Sequence, residues 1–280
     1  MNSKRHIDIM GIVNLTDDSY FAQSRCLPSA SDCDQAARNA LERARTLVSE
    51  GADIIDIGAC STRPGSEPVG EAEEWKRLQP ALSLIRRELP QTRISIDTYW
   101  ASVVRQAFDL IGSFIVNDIS AGAADTQMLP TVGRLGLPYV AMHMRGTPKN
   151  MQSLTDYNQV TAEVYEFFTE FAQKASFYGI SDWILDPGFG FAKTIGQNYQ
   201  LLRGLSEFRK LRDASGNPRK ILIGVSRKSM IYKLFDITPE ESLPATQVLH
   251  LAALQNGADI LRVHDISEAA RTVELYRRLF

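Results

Sequence analysis

Two patterns of apolar residues alternate along the chain. Short continuous apolar runs occur at 7–13, 53–58, 93–97, 114–118, 137–143, 183–186, 221–225 and 259–263. Apolarity that is continuous rather than alternating marks strands covered on both faces, as parallel strands under helices are. Between these runs lie amphipathic stretches at 35–49, 71–88, 160–178, 199–214, 245–256 and 267–279, which read as helices. Gly51 and Gly257 are each followed by Ala-Asp and a strand, so both are expected to end a helix and turn the chain. The segments TLVSEGADIIDI (46–57) and LAALQNGADILR (251–262) share this helix, turn and strand rhythm.

Eight strands alternating with helices predict a closed (β/α)₈ TIM barrel of the α/β class. A doubly wound open sheet needs the same alternation but usually fewer strands. The 280 residues contain no linker, low-complexity tract or charge block, and one barrel takes ~250 residues, so a single domain over 1–280 is expected.

Composition narrows the function classes. A net charge of −2 and a pI near 6.1 leave no broad basic surface for nucleic acid or anionic lipid. Any bound anion must be held by a few placed groups. Cys26, Cys33 and Cys60 show no CxxC spacing, which argues against zinc or a disulfide framework and for a reducing compartment. The opening MNSKRHIDIMGIV lacks the long apolar region of a signal peptide, and no run reaches ~20 apolar residues. The expectation is a soluble, cytoplasmic protein.

The candidate chemistry lies where the strands end. Strand 1 runs into Asn14, Thr16, Asp17, Asp18 and Ser19. Strand 2 carries Asp56 and passes through Cys60 into Ser61, Thr62, Arg63 and Pro64. The later strands end at Asp97, Asn117-Asp118, His143, Asp186, Ser226-Arg227-Lys228 and Arg262-Val263-His264-Asp265. In a barrel these ends share one face, and unpaired carboxylates there would be costly. Each residue also has a plain reading. Asp118 and Asp265 suit helix N-caps, His143 suits a satisfied core histidine, and Arg63 suits a solvated loop. Those readings do not explain why so many polar groups end so many strands.

Asp97, Asn117 and Asp186 supply acceptors and amide donors for a flat, nitrogen-rich heterocycle. Lys228, Arg63, Arg262 and His264 supply positive charge suited to phosphate. Asn14 is a neutral oxygen ligand that could hold a Mg²⁺ retaining most of its waters. There is no GxxxxGK[ST] loop, no GxGxxG after the first strand and no HExxH. Gly188-Phe189-Gly190-Phe191 reads as a flexible aromatic loop at the mouth.

These residues resemble the dihydropteroate synthase family. MGIVNLTDDSY (10–20) and GACSTRPG (58–65) are similar to its first two signatures. IDT (96–98), NDIS (117–120), MHM (142–144), DPGFGF (186–191), SRKS (226–229) and RVH (262–264) follow in the family's order. The resemblance implies a homodimeric barrel in folate synthesis that condenses (7,8-dihydropterin-6-yl)methyl diphosphate with 4-aminobenzoate. It implies pterin contacts at Asp97, Asn117, Asp186 and Lys228, and Mg²⁺–diphosphate contacts at Asn14, Arg262 and His264. Thr62, Pro64, Phe191, Ser226 and Lys228 would border the aminobenzoate, with Thr62 also near the pterin diphosphate and Arg63 and Asp18 on closing loops. Asp97, Asp186, Lys228 and Arg63 would carry the catalysis. Three positions depart from the family: Asp17 replaces a proline, Ala22 replaces a second Asp, and Cys60 stands where Glu is common. Cys60 is expected to be an inert thiol, held protonated by a nearby carboxylate such as Asp56. A pterin-dependent methyltransferase and a degenerate pterin-binding barrel are the alternatives.

Overall fold

A computed structural model describes residues 5–15, 33–60 and 69–280. Its sheet has eight parallel strands: β1 (Asp8–Asn14), β2 (Ile54–Gly58), β3 (Arg93–Asp97), β4 (Ile115–Asp118), β5 (Tyr139–Met142), β6 (Trp183–Asp186), β7 (Leu222–Ile223) and β8 (Ile260–Val263). The strands pair in chain order, β1 also pairs β8, and a parallel bridge between Leu185 and Ile221 joins β6 to the start of β7. The ring is therefore a nearly closed TIM barrel, as expected.

Around it lie α1 (Cys33–Ser49), α2 (Glu71–Glu88), α3 (Ala101–Ile111), α4 (Met128–Leu135), α5 (Val160–Phe177), α6 (Ile195–Arg203), α7 (Ser229–Phe235), α8 (Leu243–Gln255) and α9 (Ile266–Leu279). Gly51 and Gly257 end α1 and α8 with φ of 105° each. In both places the following alanine N–H reaches back to the carbonyl five residues earlier, Ala52 to Leu47 and Ala258 to Ala253. Gly136 and Gly179 close α4 and α5 in the same way. A positive φ at each point lets the chain reverse into the next strand without a Cβ clash.

The expected helix over 199–214 is displaced. Thr194 and Gln197 form a reciprocal capping box that starts α6 at Ile195. Gly204 ends it, and residues Leu205–Lys210 continue as a 3₁₀ turn. A side chain at 204 would meet Thr161 on α5 within 2.6 Å, so the close approach of α5 requires glycine there.

The barrel interior holds Met10, Ile54, Val140, Ile184, Leu222 and Ile260, packed with Ile115. Strand side chains alternate faces, so the residue two positions further along each strand also points inward, one layer higher. That step converts Ile54 to Asp56, Ile115 to Asn117, Ile184 to Asp186 and Ile260 to Arg262. An apolar plug thus lies beneath a polar floor.

Candidate active site at the carboxyl ends of the strands

Asp56 anchors the floor. It is fully buried, and its Oδ2 accepts from Arg262 Nε at 2.6 Å. Its two oxygens also face the amide nitrogen of Asn117 at 3.3 and 3.2 Å. Arg262 extends its NH2 to Asp97 Oδ2 at 2.9 Å, so one guanidinium spans two carboxylates from neighbouring strands. Burial works against the charge on Arg262, yet Asp56 and Asp97 raise its pKa further. Gly58 is the register partner of Asp97, and a side chain there would sit 3.2 Å from the Asp97 Cβ. The glycine clears the space Asp97 occupies.

Asp97 and Asp186 are less well supplied. Burial raises both carboxyl pKa values, and the charge of Arg262 only partly opposes this at Asp97. Among the described residues, Asp186 accepts one hydrogen bond, from Gly188 N to its Oδ1 at 2.8 Å. Lys228 donates to the carbonyl of Phe189, and its Nζ lies 4.7 Å from the centre of the Phe191 ring. Burial lowers its pKa to about 8, with Asp186 holding it up. The floor therefore has two carboxylates that lack full compensation, beside an amide and a lysine. A flat heterocycle offering several N–H donors would supply what is missing.

A family described as "Pterin binding enzyme" matches residues 10–264. Dihydropteroate synthase of Synechocystis is 41% identical over 268 residues, covering 94% of this chain and 86% of that protein. The Yersinia pestis dihydropteroate synthase, solved as a sulfonamide drug complex, superposes with a TM-score of 0.88 at 32% identity, over 100% of this chain and 96% of that one. The Xanthomonas albilineans dihydropteroate synthase solved with 4-aminobenzoic acid gives 0.85 at 32%, over 99% and 93%. This chain belongs to the dihydropteroate synthase family of pterin-binding enzymes. Membership on this scale answers the methyltransferase alternative.

Of the site residues expected of a family member, Asp97, Asn117, Asp186, Lys228 and Arg262 gather on the barrel floor. Asn14 ends β1 on the same rim. Phe191 is half-buried beside Lys228, and the Ser226 hydroxyl accepts from His264 N at 3.3 Å. Thr62, Arg63, Pro64, Asp17, Asp18 and Ala22 lie outside the described residues.

Several expectations change. His264 was expected to carry positive charge, but burial lowers its pKa to about 3, and the neighbouring Arg262 lowers it further. It is therefore neutral near pH 7. Asp265 precedes α9 but makes no capping bond. Both of its oxygens are taken by Arg227, at 2.9 and 2.8 Å. Asp118 does not cap a helix either. It organises its own loop, accepting from Ser120 N, Gly122 N and the Tyr139 hydroxyl. His143 is the satisfied core histidine expected of it, and burial lowers its pKa to about 2. Cys60 has the raised pKa expected of an inert thiol, but desolvation is the main cause, and the nearby charges are Glu74 and Asp97 rather than Asp56.

The Gly188–Phe191 segment is a fastened turn rather than a flexible loop. Phe189 is fully buried, Phe191 N donates to Gly188 O at 3.1 Å, and Gly190 N donates to Asn198 Oδ1 at 2.7 Å. Sequence reasoning missed Asp56 as a site member and missed Lys193 altogether. Asp56 was findable, because it stands two positions after a lumen residue, as Asn117 and Asp186 do. Nothing local separates Lys193 from a surface lysine.

Proposed function

We infer that this chain is a dihydropteroate synthase, joining (7,8-dihydropterin-6-yl)methyl diphosphate to 4-aminobenzoate with release of diphosphate. The observation that carries this reading is the undercompensated pair Asp97 and Asp186, flanking Asn117 at the closed end of the barrel mouth. Carboxylates in that state favour a ligand that brings N–H donors and develops positive charge.

In the proposed reaction the bond between the pterin methylene and the diphosphate oxygen breaks, and its electron pair leaves with diphosphate. The dihydropterin ring delocalises the positive charge left on the methylene. Asp97 and Asp186 stabilise that charge, Asn117 and Lys228 complete the pterin contacts, and Lys228 also borders the arylamine. The arylamine nitrogen forms the new C–N bond and then gives up a proton. Phe191, Ser226, Thr62 and Pro64 would line its slot and hold the nitrogen in position. Arg63 would help to close the site against water, which is the competing nucleophile.

Mg²⁺ fits the donor set in one respect. Asn14 offers a neutral oxygen on the rim, suited to an ion that keeps its waters and takes oxygens from a diphosphate. Among the described residues the group of three metal-ligand side chains is His6, Asp8 and Asp53, which surrounds the opposite end of β1. When bound at Asn14, Mg²⁺ would neutralise charge on the leaving diphosphate. Arg262 would contribute from its place beside Asp97. His264 would donate as a neutral imidazole, or gain a proton as the anion arrives.

We also propose a homodimer, supported by exposed Leu234, Phe235, Val248 and Leu275 on the last three helices. Light scattering of the purified protein tests it. A cytoplasmic location is supported by the cysteine pattern. No helix among the described residues is long and apolar enough to cross a membrane. The decisive experiment supplies purified protein with Mg²⁺ and both substrates. It should release 7,8-dihydropteroate and diphosphate in equal amounts, and a sulfonamide should compete with 4-aminobenzoate. Pterin binding without any turnover would mean that the barrel binds and does not catalyse.

A further inference from the structure

Lys193 follows the Gly188–Phe191 turn and is buried to 4% exposure. Its Nζ lies 3.0 Å from the carbonyl oxygens of Gly188 and Phe191 and 3.0 Å from His143 Nδ1. Because His143 is neutral, its Nδ1 accepts this bond when the ring proton sits on Nε2. An ammonium has three N–H donors, and these three acceptors, with the His143 carbonyl at 3.5 Å, surround this one. Burial draws the pKa down to about 7, with Asp186 opposing, while the acceptor set favours the charged form.

The two carbonyls are the first and last of the turn. Gly188 and Gly190 have φ of 70° and 83°, and a side chain at 188 would come within 2.0 Å of the His143 carbonyl. The turn is thus pressed onto the end of β5, and Lys193 holds it there from below. Lys228 takes a carbonyl between them, that of Phe189, and lies over the Phe191 ring. Two lysines hold three carbonyls of one turn. Only Lys228 belongs to the expected substrate contacts.

We propose that Lys193 is a positioning residue of the active site: it fixes the Gly188–Phe191 turn and through it places Lys228 and the Phe191 ring against the arylamine. This rests on the reading that Lys228 and Phe191 border 4-aminobenzoate. Lys193→Met keeps the length and removes every donor, while Lys193→Gln restores two.

With Mg²⁺ and both substrates, the KM of Lys193→Met for 4-aminobenzoate should rise ~10–100-fold, as loss of charged hydrogen bonds implies. The affinity for a pterin, measured by calorimetry, should also fall, but by less, because Lys228 is shared by both substrates while Phe191 borders the arylamine alone. Lys193→Gln should recover part of the loss. Hydrogen exchange at the Phe191 and Gly190 amides should quicken in Lys193→Met, while the β1 amides keep their protection. That readout is independent of turnover, so an inactive wild type would contradict the proposed function and leave this inference to the exchange data. An unchanged arylamine KM, or unchanged exchange in the turn, overturns the inference. If Lys193→Met does not fold, Lys193→Gln carries the test: a higher arylamine KM at near-normal melting temperature supports positioning. Activity falling only in step with melting temperature contradicts it.

Discussion

At the lower end of the barrel, Asp8 and Asp259 are each met by more than one basic side chain, although burial still raises the Asp259 carboxyl pKa against Arg209 and Arg5. Asp8 takes Arg93 and His6, with Lys220 at 4.0 Å. Asp259 takes Arg209 at 2.6 Å and the backbone N–H of Ile221 at 2.9 Å, with Arg5 at 3.6 Å. At the upper end Asp56, Asp97, Asp118 and Asp186 lie within one barrel mouth. Asp97 and Asp56 divide a single guanidinium there, and Asp186 receives one backbone N–H. The residue types match, yet the arrangement differs. Below, cations close pairs and tie the first and last strands to their neighbours. Above, Asp97 and Asp186 are left short of donors, which costs folding energy and prepares a binding surface.

The largest contrast should come from cutting the lower network. Asp259→Ala removes the partner of Arg209 and the acceptor for Ile221 N. A loss of about 2–4 kcal/mol in unfolding free energy is expected, with pterin affinity unchanged. Denaturant unfolding and calorimetry read the two halves of that statement. A variant that kept its stability would remove the distinction between the two ends.

Lys228→Ala reverses the pattern on the upper face. Both substrates should bind about 1–2 kcal/mol more weakly, because a charged donor leaves the floor while the core below is untouched. Melting temperature should barely move. A collapse in melting temperature would instead make Lys228 a structural ion-pair member.

The ends also differ in what the sequence could disclose. All eight strands start and stop within two residues of the apolar runs, because a buried parallel strand must be apolar throughout. The period-2 step from lumen residue to floor residue was equally legible in Asn117 and Asp186. What local patterning does not disclose is the difference between adjacent side chains. Arg227 and Lys228 are adjacent cations in one motif, yet Arg227 is consumed by Asp265 and by the carbonyls of Pro239 and Glu240, while Lys228 faces the site. A backbone φ of 53° at Arg227 turns the two side chains apart, and no local rule shows this. Helix α3 was missed for a related reason. Its Val103-Val104 pair resembles strand, but both residues pack inward on a helix that ends at Gly112 with φ of 75°.

A smaller effect lies behind the floor. Glu74 on α2 is fully buried, and the Thr98 side chain and Arg77 only partly offset the burial of its carboxyl. Burial, reinforced by the charge of Asp97, raises its pKa to about 8. A carboxyl raised on folding stabilises the fold fully below its unfolded pKa, and that contribution is lost as pH rises through the folded value. Glu74→Gln does not titrate. Its advantage over wild type should open between about pH 5 and pH 8. Melting curves across that range check the sign, and a gap that closed with rising pH would contradict it.

The central claim is that the upper carboxylates cost stability until a pterin arrives. Thermal denaturation of wild type and Asp186→Asn, each with and without a pterin, tests it most directly. Asn at 186 keeps an oxygen for Gly188 N and removes the undercompensated charge. The ligand-free variant should therefore melt no lower than wild type. The pterin should stabilise wild type and do little for the variant, whose binding should be weaker by about 2–4 kcal/mol. A ligand-free variant melting well below wild type, with its pterin stabilisation intact, would show that Asp186 holds the fold together and does not hold the ligand.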